Sequence, residues 1–210
     1  MTSKLTSHHL RGAAASTLIS AVFALAWGVN GSLALPDGWR VVAIVVVILV
    51  TLVMVAASVT FNRNAGRFSS GSDAPPVSPF RTTAYCIAVV AMLIAIPVAS
   101  RVLALSGYGD AIMPVVAMIV GLHFLGLVPA FRSGIFAWVA GAFCLLGLVA
   151  LFLPVQIGEA GAPQLRYAVV GLGCALILWL GVVPIVSKTF GQLAENEQEK
   201  PHRRAAEQRR

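Results

Sequence analysis

Charged residues are scarce in this sequence: Asp, Glu, Lys and Arg make up 11% of its 210 residues, against 58% hydrophobic residues. The mean hydropathy is +0.87. A water-soluble domain does not need this balance, whereas helices in contact with lipid require it. The polar pieces between the apolar stretches are short, which leaves no room for an independent soluble domain. Any function therefore belongs to the apolar segments or to the short loops between them.

Signatures of catalysis and of metal or nucleotide binding are also missing. The three cysteines, Cys86, Cys144 and Cys174, lack the paired spacing of a zinc site or a redox dithiol. We interpret them as small buried hydrophobic residues. No Asp or Glu falls within an apolar stretch, which argues against a conventional proton pump. We therefore predict no metal, no cofactor and no enzymatic activity.

What the sequence does contain is six long apolar stretches. The hydrocarbon core of a bilayer is about 30 Å thick and needs ~20 apolar residues of helix. The predicted fold is therefore all-α, a polytopic membrane bundle of six transmembrane helices, with spans at 13–35, 39–61, 83–105, 111–131, 135–153 and 167–187. A signal peptide ending near Ala34 is an alternative for the first span, but its uncharged run exceeds the ~7 to 15 residues of a signal core.

Three polar segments flank or interrupt the six spans. They are an N-terminal piece at 1–12, a linker at 62–82 and a tail at 191–210 whose distal half is basic. The linker is rich in Ser, Gly and Pro, a composition typical of a mobile connection. We expect it to divide the bundle into spans 1 and 2 and spans 3 to 6.

The basic residues collect on one side of the predicted membrane. If the N-terminus lies in the cytoplasm, only Arg40, Arg101 and Arg166 of the fifteen Lys and Arg residues lie on the opposite side. By the positive-inside rule, this predicts that both termini are cytoplasmic in the inner membrane of a bacterial-type cell, with the lipid bilayer as partner. The net charge of +7 then needs no nucleic-acid partner. The predicted cytoplasmic basic residues are Lys4, Arg11, Arg63, Arg67, Arg81, Arg132, Lys188, Lys200, Arg203, Arg204, Arg209 and Arg210.

Small residues recur at every fourth position of the first span. The row comprises Gly12, Ser16, Ser20, Ala24, Gly28 and Ser32. Rows of this kind let helices approach closely in lipid, where no hydrophobic drive brings them together. We therefore assign helix packing to Ser20, Ala24, Gly28 and Ser32, with a pore-lining face as the alternative. Because such a row drifts by ~40° per step, three or four of its members can face one partner.

Three residues form a candidate polar site within the membrane. His123 is the ionisable residue placed farthest from an interface, and such residues usually face the bundle interior or a wet cavity. Histidine is the side chain whose charge changes most readily under physiological conditions, so we expect this position to be able to couple protonation to a helix rearrangement. Asn30 is a carboxamide deep in span 1, one turn from Trp27. The structural alternative is a neutral histidine bonded to a backbone carbonyl or to Asn30.

A second candidate contact lies at the outer side. Arg101 lies near the outer end of span 3, and Asp110 opens span 4 across a short loop. We predict an ion pair between them, with a snorkelling anchor as the alternative role for Arg101.

Short motifs in spans 1 and 4 give the chain a resemblance to a known type of protein. Val120-Gly121-Leu122-His123-Phe124 followed by Pro129 and Phe131, together with Ala26-Trp27-Gly28, resembles small bacterial multispan membrane proteins of the domain-of-unknown-function type. The resemblance implies a six-helix inner-membrane protein and transfers no activity.

Two functions follow from the residues. The first is a small permease or channel-like protein with His123 in the bundle and an unknown substrate. The alternative is a non-catalytic accessory or scaffold protein that associates through small-residue helix faces with a second copy or with other membrane proteins. An intramembrane enzyme is disfavoured, because no nucleophile, base and orienting group can be assembled from the spans.

Overall fold

The computed structural model describes residues 6–68, 82–131, 133–156 and 164–207. Over these ranges the chain is helical, with six helices long and apolar enough to cross a membrane, which confirms the predicted fold class to that extent. The helices are α1 (Ser7–Leu33), α2 (Asp37–Ala65), α3 (Thr83–Leu105), α4 (Ile112–Phe131), α5 (Gly134–Phe152) and α6 (Leu165–Glu207), with a 3₁₀ turn (Gly109–Ala111) before α4.

Parts of the predicted polar segments lie outside the described residues. These parts are positions 1–5 of the N-terminal piece, 69–81 of the linker and 208–210 of the tail. Five of the predicted cytoplasmic basic residues fall there or in the α4–α5 turn, namely Lys4, Arg81, Arg132, Arg209 and Arg210.

Local hydrogen bonds fix the start of α1 and the end of α3. Thr6 caps α1 by accepting from the backbone N–H of His9, so α1 begins before the apolar run that defined the predicted span. Gly107, at φ +81°, ends α3. The Tyr108 N–H donates to the Leu103 carbonyl at 2.9 Å and the Gly107 N–H to the Ala104 carbonyl at 3.3 Å. This is a Schellman motif, and it turns the chain directly into α4.

Helix α6 continues well past the last predicted span. It runs for 43 residues, or ~65 Å at 1.5 Å per residue, so most of the predicted 191–210 tail is helix. A single glycine, Gly191, does not end it because the following Gln, Leu, Ala and Glu residues are strong helix formers. Packing also continues there, since the rings of Phe190 and Phe61 lie 4.8 Å apart and Leu193 packs against the buried cluster that includes Leu10 and Phe61.

The six helices form two groups. In the first, α1 packs extensively against both α2 and α6. In the second, α4 packs against α5 and α3 packs against α4. Contacts of α6 with α5 and α4 join the groups. The expected division at the linker, with spans 1 and 2 apart from spans 3 to 6, is therefore wrong about α6, which packs most closely with α1.

The core follows the α1–α6 seam and the junction of α4, α5 and α6. Buried residues of α1 recur at alternating steps of three and four, the spacing of left-handed helix packing. They include Ser7, Leu10, Ala14, Thr17, Ala21, Ala24, Gly28 and Gly31. Phe143 and Cys174 are fully buried at the junction. In contrast, none of the 23 residues of α3, all of which the structure describes, is buried.

Candidate functional site

His123 of α4 forms a hydrogen bond to the backbone of α3. Its Nδ1 lies 3.1 Å from the carbonyl oxygen of Ala88. A carbonyl can only accept, so Nδ1 carries the proton in this contact, and in the neutral ring Nε2 is then an acceptor. His123 therefore links α3 to the rest of the bundle, which is the backbone-carbonyl alternative considered from the sequence.

A groove of about 450 Å³ lies between α3 and α4, and His123 lines it. Four alanines of α3, spaced four, three and four residues apart, form one wall, and the lining includes Gly126 of α4. The alanines are Ala84, Ala88, Ala91 and Ala95. Among the described lining residues only His123 has a polar side chain. The groove is thus an apolar, small-residue surface with one imidazole in it.

Asn30 and Trp27 do not join His123 in this groove. The Asn30 amide donates to the Ala26 carbonyl of its own helix at 2.8 Å, and its side chain is exposed. Trp27 packs edge-on against Phe143 with ring centroids 6.1 Å apart. Phe143 in turn contacts Phe124 at 5.7 Å. Trp27 therefore belongs to the aromatic core, and the three predicted residues do not form one polar site.

Asp110 pairs with Arg166, and the predicted pairing with Arg101 is corrected. Nη1 of Arg166 lies 2.6 Å from Oδ2 of Asp110. Nη2 of Arg166 donates to the carbonyls of Leu151 at 3.3 Å and Leu153 at 2.6 Å. Arg101 is exposed on α3. Nearness along the chain favoured Arg101, but the start of α6 lies against the start of α4, which brings the nearly buried Arg166 to the carboxylate.

The Arg166 contacts join three chain segments at one end of the bundle. They tie the start of α6 to the 3₁₀ turn and to the C-terminus of α5, whose last carbonyls have no intrahelical partner. The neighbouring Tyr167 hydroxyl donates to the Gly109 carbonyl at 3.1 Å. The sequence placed Arg166 only on the outer side of the predicted membrane; an arginine and a tyrosine side by side at the start of a span were the available signal for these contacts.

The four small residues of α1 that were assigned to helix packing differ in burial. Ala24, Gly28 and Ser32 are buried and Ser20 is half-buried. A methyl group added to Gly28 would lie 2.8 Å from Val47 of α2 and 3.4 Å from Ala175 of α6. Gly28 thus sits where three helices meet.

In the described ranges, no three His, Cys, Asp or Glu side chains come together as a metal site would require. Comparison of the chain with protein-family models, with curated proteins and with solved structures found no match. The arrangement of side chains therefore carries the functional argument alone.

Proposed function

We propose that this chain is a multi-pass protein of a bacterial-type cytoplasmic membrane, with both termini in the cytoplasm, and that it acts as a non-catalytic accessory or scaffold protein. The observation that carries the proposal is the exposure of α3. This helix contacts the bundle mainly through α4, and none of its described residues is buried. A helix so loosely attached has most of its surface available to another molecule.

The groove between α3 and α4 suits a transmembrane helix of another membrane protein. Helix association in lipid depends on close backbone approach, which small residues permit. The alanine wall of α3 supplies such a surface, and Ala91, at its centre, is exposed. His123 adds a single polar group. An interhelical hydrogen bond to it would fix the position of the bound helix along the groove.

The rest of the bundle supports this proposal over transport. Packing between α1 and α6 is close enough that glycine backbones touch. The groove that His123 lines does not include Asn30, whose amide bonds within its own helix. A polar path across the centre of the bundle would need such groups to face one space.

The test is site-specific photocrosslinking in native membranes. A photoreactive residue replaces Ala91 in the groove or, as the matched control, Ala56, an exposed alanine of α2. We expect a protein adduct from position 91 and lipid adducts alone from position 56. Filling the groove with Ala95→Leu should abolish the protein adduct. Lipid adducts alone from position 91, or a crosslinked second copy, would contradict the proposal.

A small permease is the second candidate, because the groove of about 450 Å³ reaches His123 and an ionisable group at membrane depth is costly to retain. Solute uptake or proton flux in liposomes that falls with His123→Ala would favour it. Flux that is absent, or unchanged by this substitution, would remove it.

Topology is tested separately. Single cysteines at Gly38, in the first turn of α2, and Gly66, just after it, should react with an impermeant reagent from the outer and inner sides, respectively. The cysteine-free chain is the background, and the reverse pattern would contradict cytoplasmic termini.

A further inference from the structure

A second groove lies at the opposite end of the bundle from the Arg166 contacts, and neither proposed function uses it. It has a volume of about 440 Å³ and is formed by the first turns of α1, the start of α5 and the last apolar turns of α6. We propose that this groove binds the phosphate of an anionic phospholipid, with the first part of an acyl chain on its floor. The leaflet concerned is the cytoplasmic one if the proposed topology holds.

The lining has the polarity of a lipid headgroup region. Ala13, Pro184 and Ile185 give it an apolar floor, and polar side chains surround that floor. The polar lining residues are His9, Ser16, Ser133, Lys188, Thr189 and Gln192. No carboxylate lies among the described lining residues, so nothing in the groove competes for its cation.

Lys188 supplies the charge. It lies one position after the predicted end of span 6, and its side chain is exposed, so the ammonium group reaches the depth of lipid phosphates. The amide of Gln192, one turn further along α6, and the imidazole of His9 on α1 lie on the same groove and provide hydrogen-bond donors.

The start of α5 adds to the positive electrostatic potential in the groove. Ser133 precedes the helix and its side chain caps none of the first backbone N–H groups. Of these groups, the Phe136 N–H donates at 3.4 Å to the Ser133 carbonyl, and the first N–H groups of a helix lack the usual partner four residues earlier. Ser133 and Ile135 both line the groove. The partial positive charge of this helix end therefore acts in the same space as Lys188.

The test uses the full chain purified in mild detergent and analysed by native mass spectrometry. Phosphatidylglycerol and phosphatidylcholine with identical acyl chains are added at equal concentration. We expect phosphatidylglycerol to be retained preferentially. Lys188→Gln should lower that retention about fivefold, the factor that corresponds to about 1 kcal/mol per basic residue at an anionic surface.

Two further variants separate the groove from general charge. Arg63→Gln removes the same charge from an exposed site on α2 outside the groove and should leave retention unchanged. Ile185→Trp fills the floor without changing charge and should lower retention of both lipids. Millimolar inorganic phosphate should not displace the lipid. Equal losses from Lys188→Gln and Arg63→Gln, no preference for the anionic lipid, or displacement by inorganic phosphate would each overturn the proposal.

Discussion

Gly31 of α1 and Gly171 of α6 cross with their backbones in contact: a methyl group added to Gly171 would lie 2.5 Å from both the nitrogen and the Cα of Gly31. The reverse addition, at Gly31, would lie 2.5 Å from the backbone nitrogen of Leu172. Backbone atoms cannot move aside as the end of a side chain can. The crossing therefore accepts no side chain on either helix.

Gly171→Ala should destabilise the protein by about 1–3 kcal/mol, the usual cost of overpacking a closely packed contact. Gly141→Ala is the matched control, because a methyl group at Gly141 of α5 meets nothing within 4 Å. That variant should be neutral or gain up to about 1 kcal/mol from helix propensity. The free energy of unfolding in a detergent titration measures both, and equal effects would show that α1 and α6 do not cross here.

The six helices were predictable because each is a long apolar run, but their packing faces were not. A helix in lipid is apolar all round, so hydrophobicity does not separate the buried face from the lipid-facing one. The row of small residues at every fourth position of α1 illustrates this limit. Gly12 is exposed and a methyl group there meets nothing within 4 Å, whereas Gly28 is buried. A step of four rotates steadily around the helix, while the observed alternation of three and four stays on one face.

The hydrogen bond between His123 and Ala88 should hold α3 against α4. His123→Leu removes it, and interhelical hydrogen bonds in membranes contribute about 0.6 to 2 kcal/mol. Because α3 packs on α4 and on little else, we expect amide hydrogen exchange to rise in α3 and to stay unchanged in α1.

His123→Asn is the control for this experiment, since its side-chain nitrogen occupies nearly the place of Nδ1 and can still donate. It should preserve most of the protection. Equal exchange in α3 for the wild type and His123→Leu would mean that the hydrogen bond does not anchor the helix.

The histidine could be selected from the sequence but its partner could not. An ionisable side chain inside an apolar run is conspicuous, whereas the carbonyl of Ala88 is a backbone atom that every residue has. Asn30 was the more visible candidate partner, yet its amide bonds to Ala26 within its own helix, as short polar side chains in helices often do. Side-chain chemistry thus identified one half of the contact, and only the fold identified the other.

Thiol reactivity should follow burial of the three cysteines. Cys86 is exposed, Cys144 is half-buried and Cys174 is buried in the described structure. A small neutral maleimide in mild detergent should therefore modify Cys86 first and Cys174 last, because the reagent must reach the sulfur. Mass spectrometry of peptides over a time course gives the order, and unfolding in SDS should remove it. Early labelling of Cys174 would contradict the packing of α6 against α1 and α5.

Double-mutant cycles can test whether Asp110 pairs with Arg166 or with Arg101. Arg166→Met leaves Asp110 and two carbonyls at the end of α5 without their donor. Because the Asp110 side chain is 36% exposed, solvent offsets part of the loss, and we expect about 2–3 kcal/mol rather than the full cost of breaking a buried pair. Arg101→Met should change the free energy of unfolding by less than about 0.5 kcal/mol, as exposed substitutions usually do.

Combined with Asp110→Asn, Arg166→Met should show a coupling energy of about 1 kcal/mol or more and Arg101→Met essentially none. The opposite result would restore the Arg101 pair and would require the start of α6 to lie away from the start of α4.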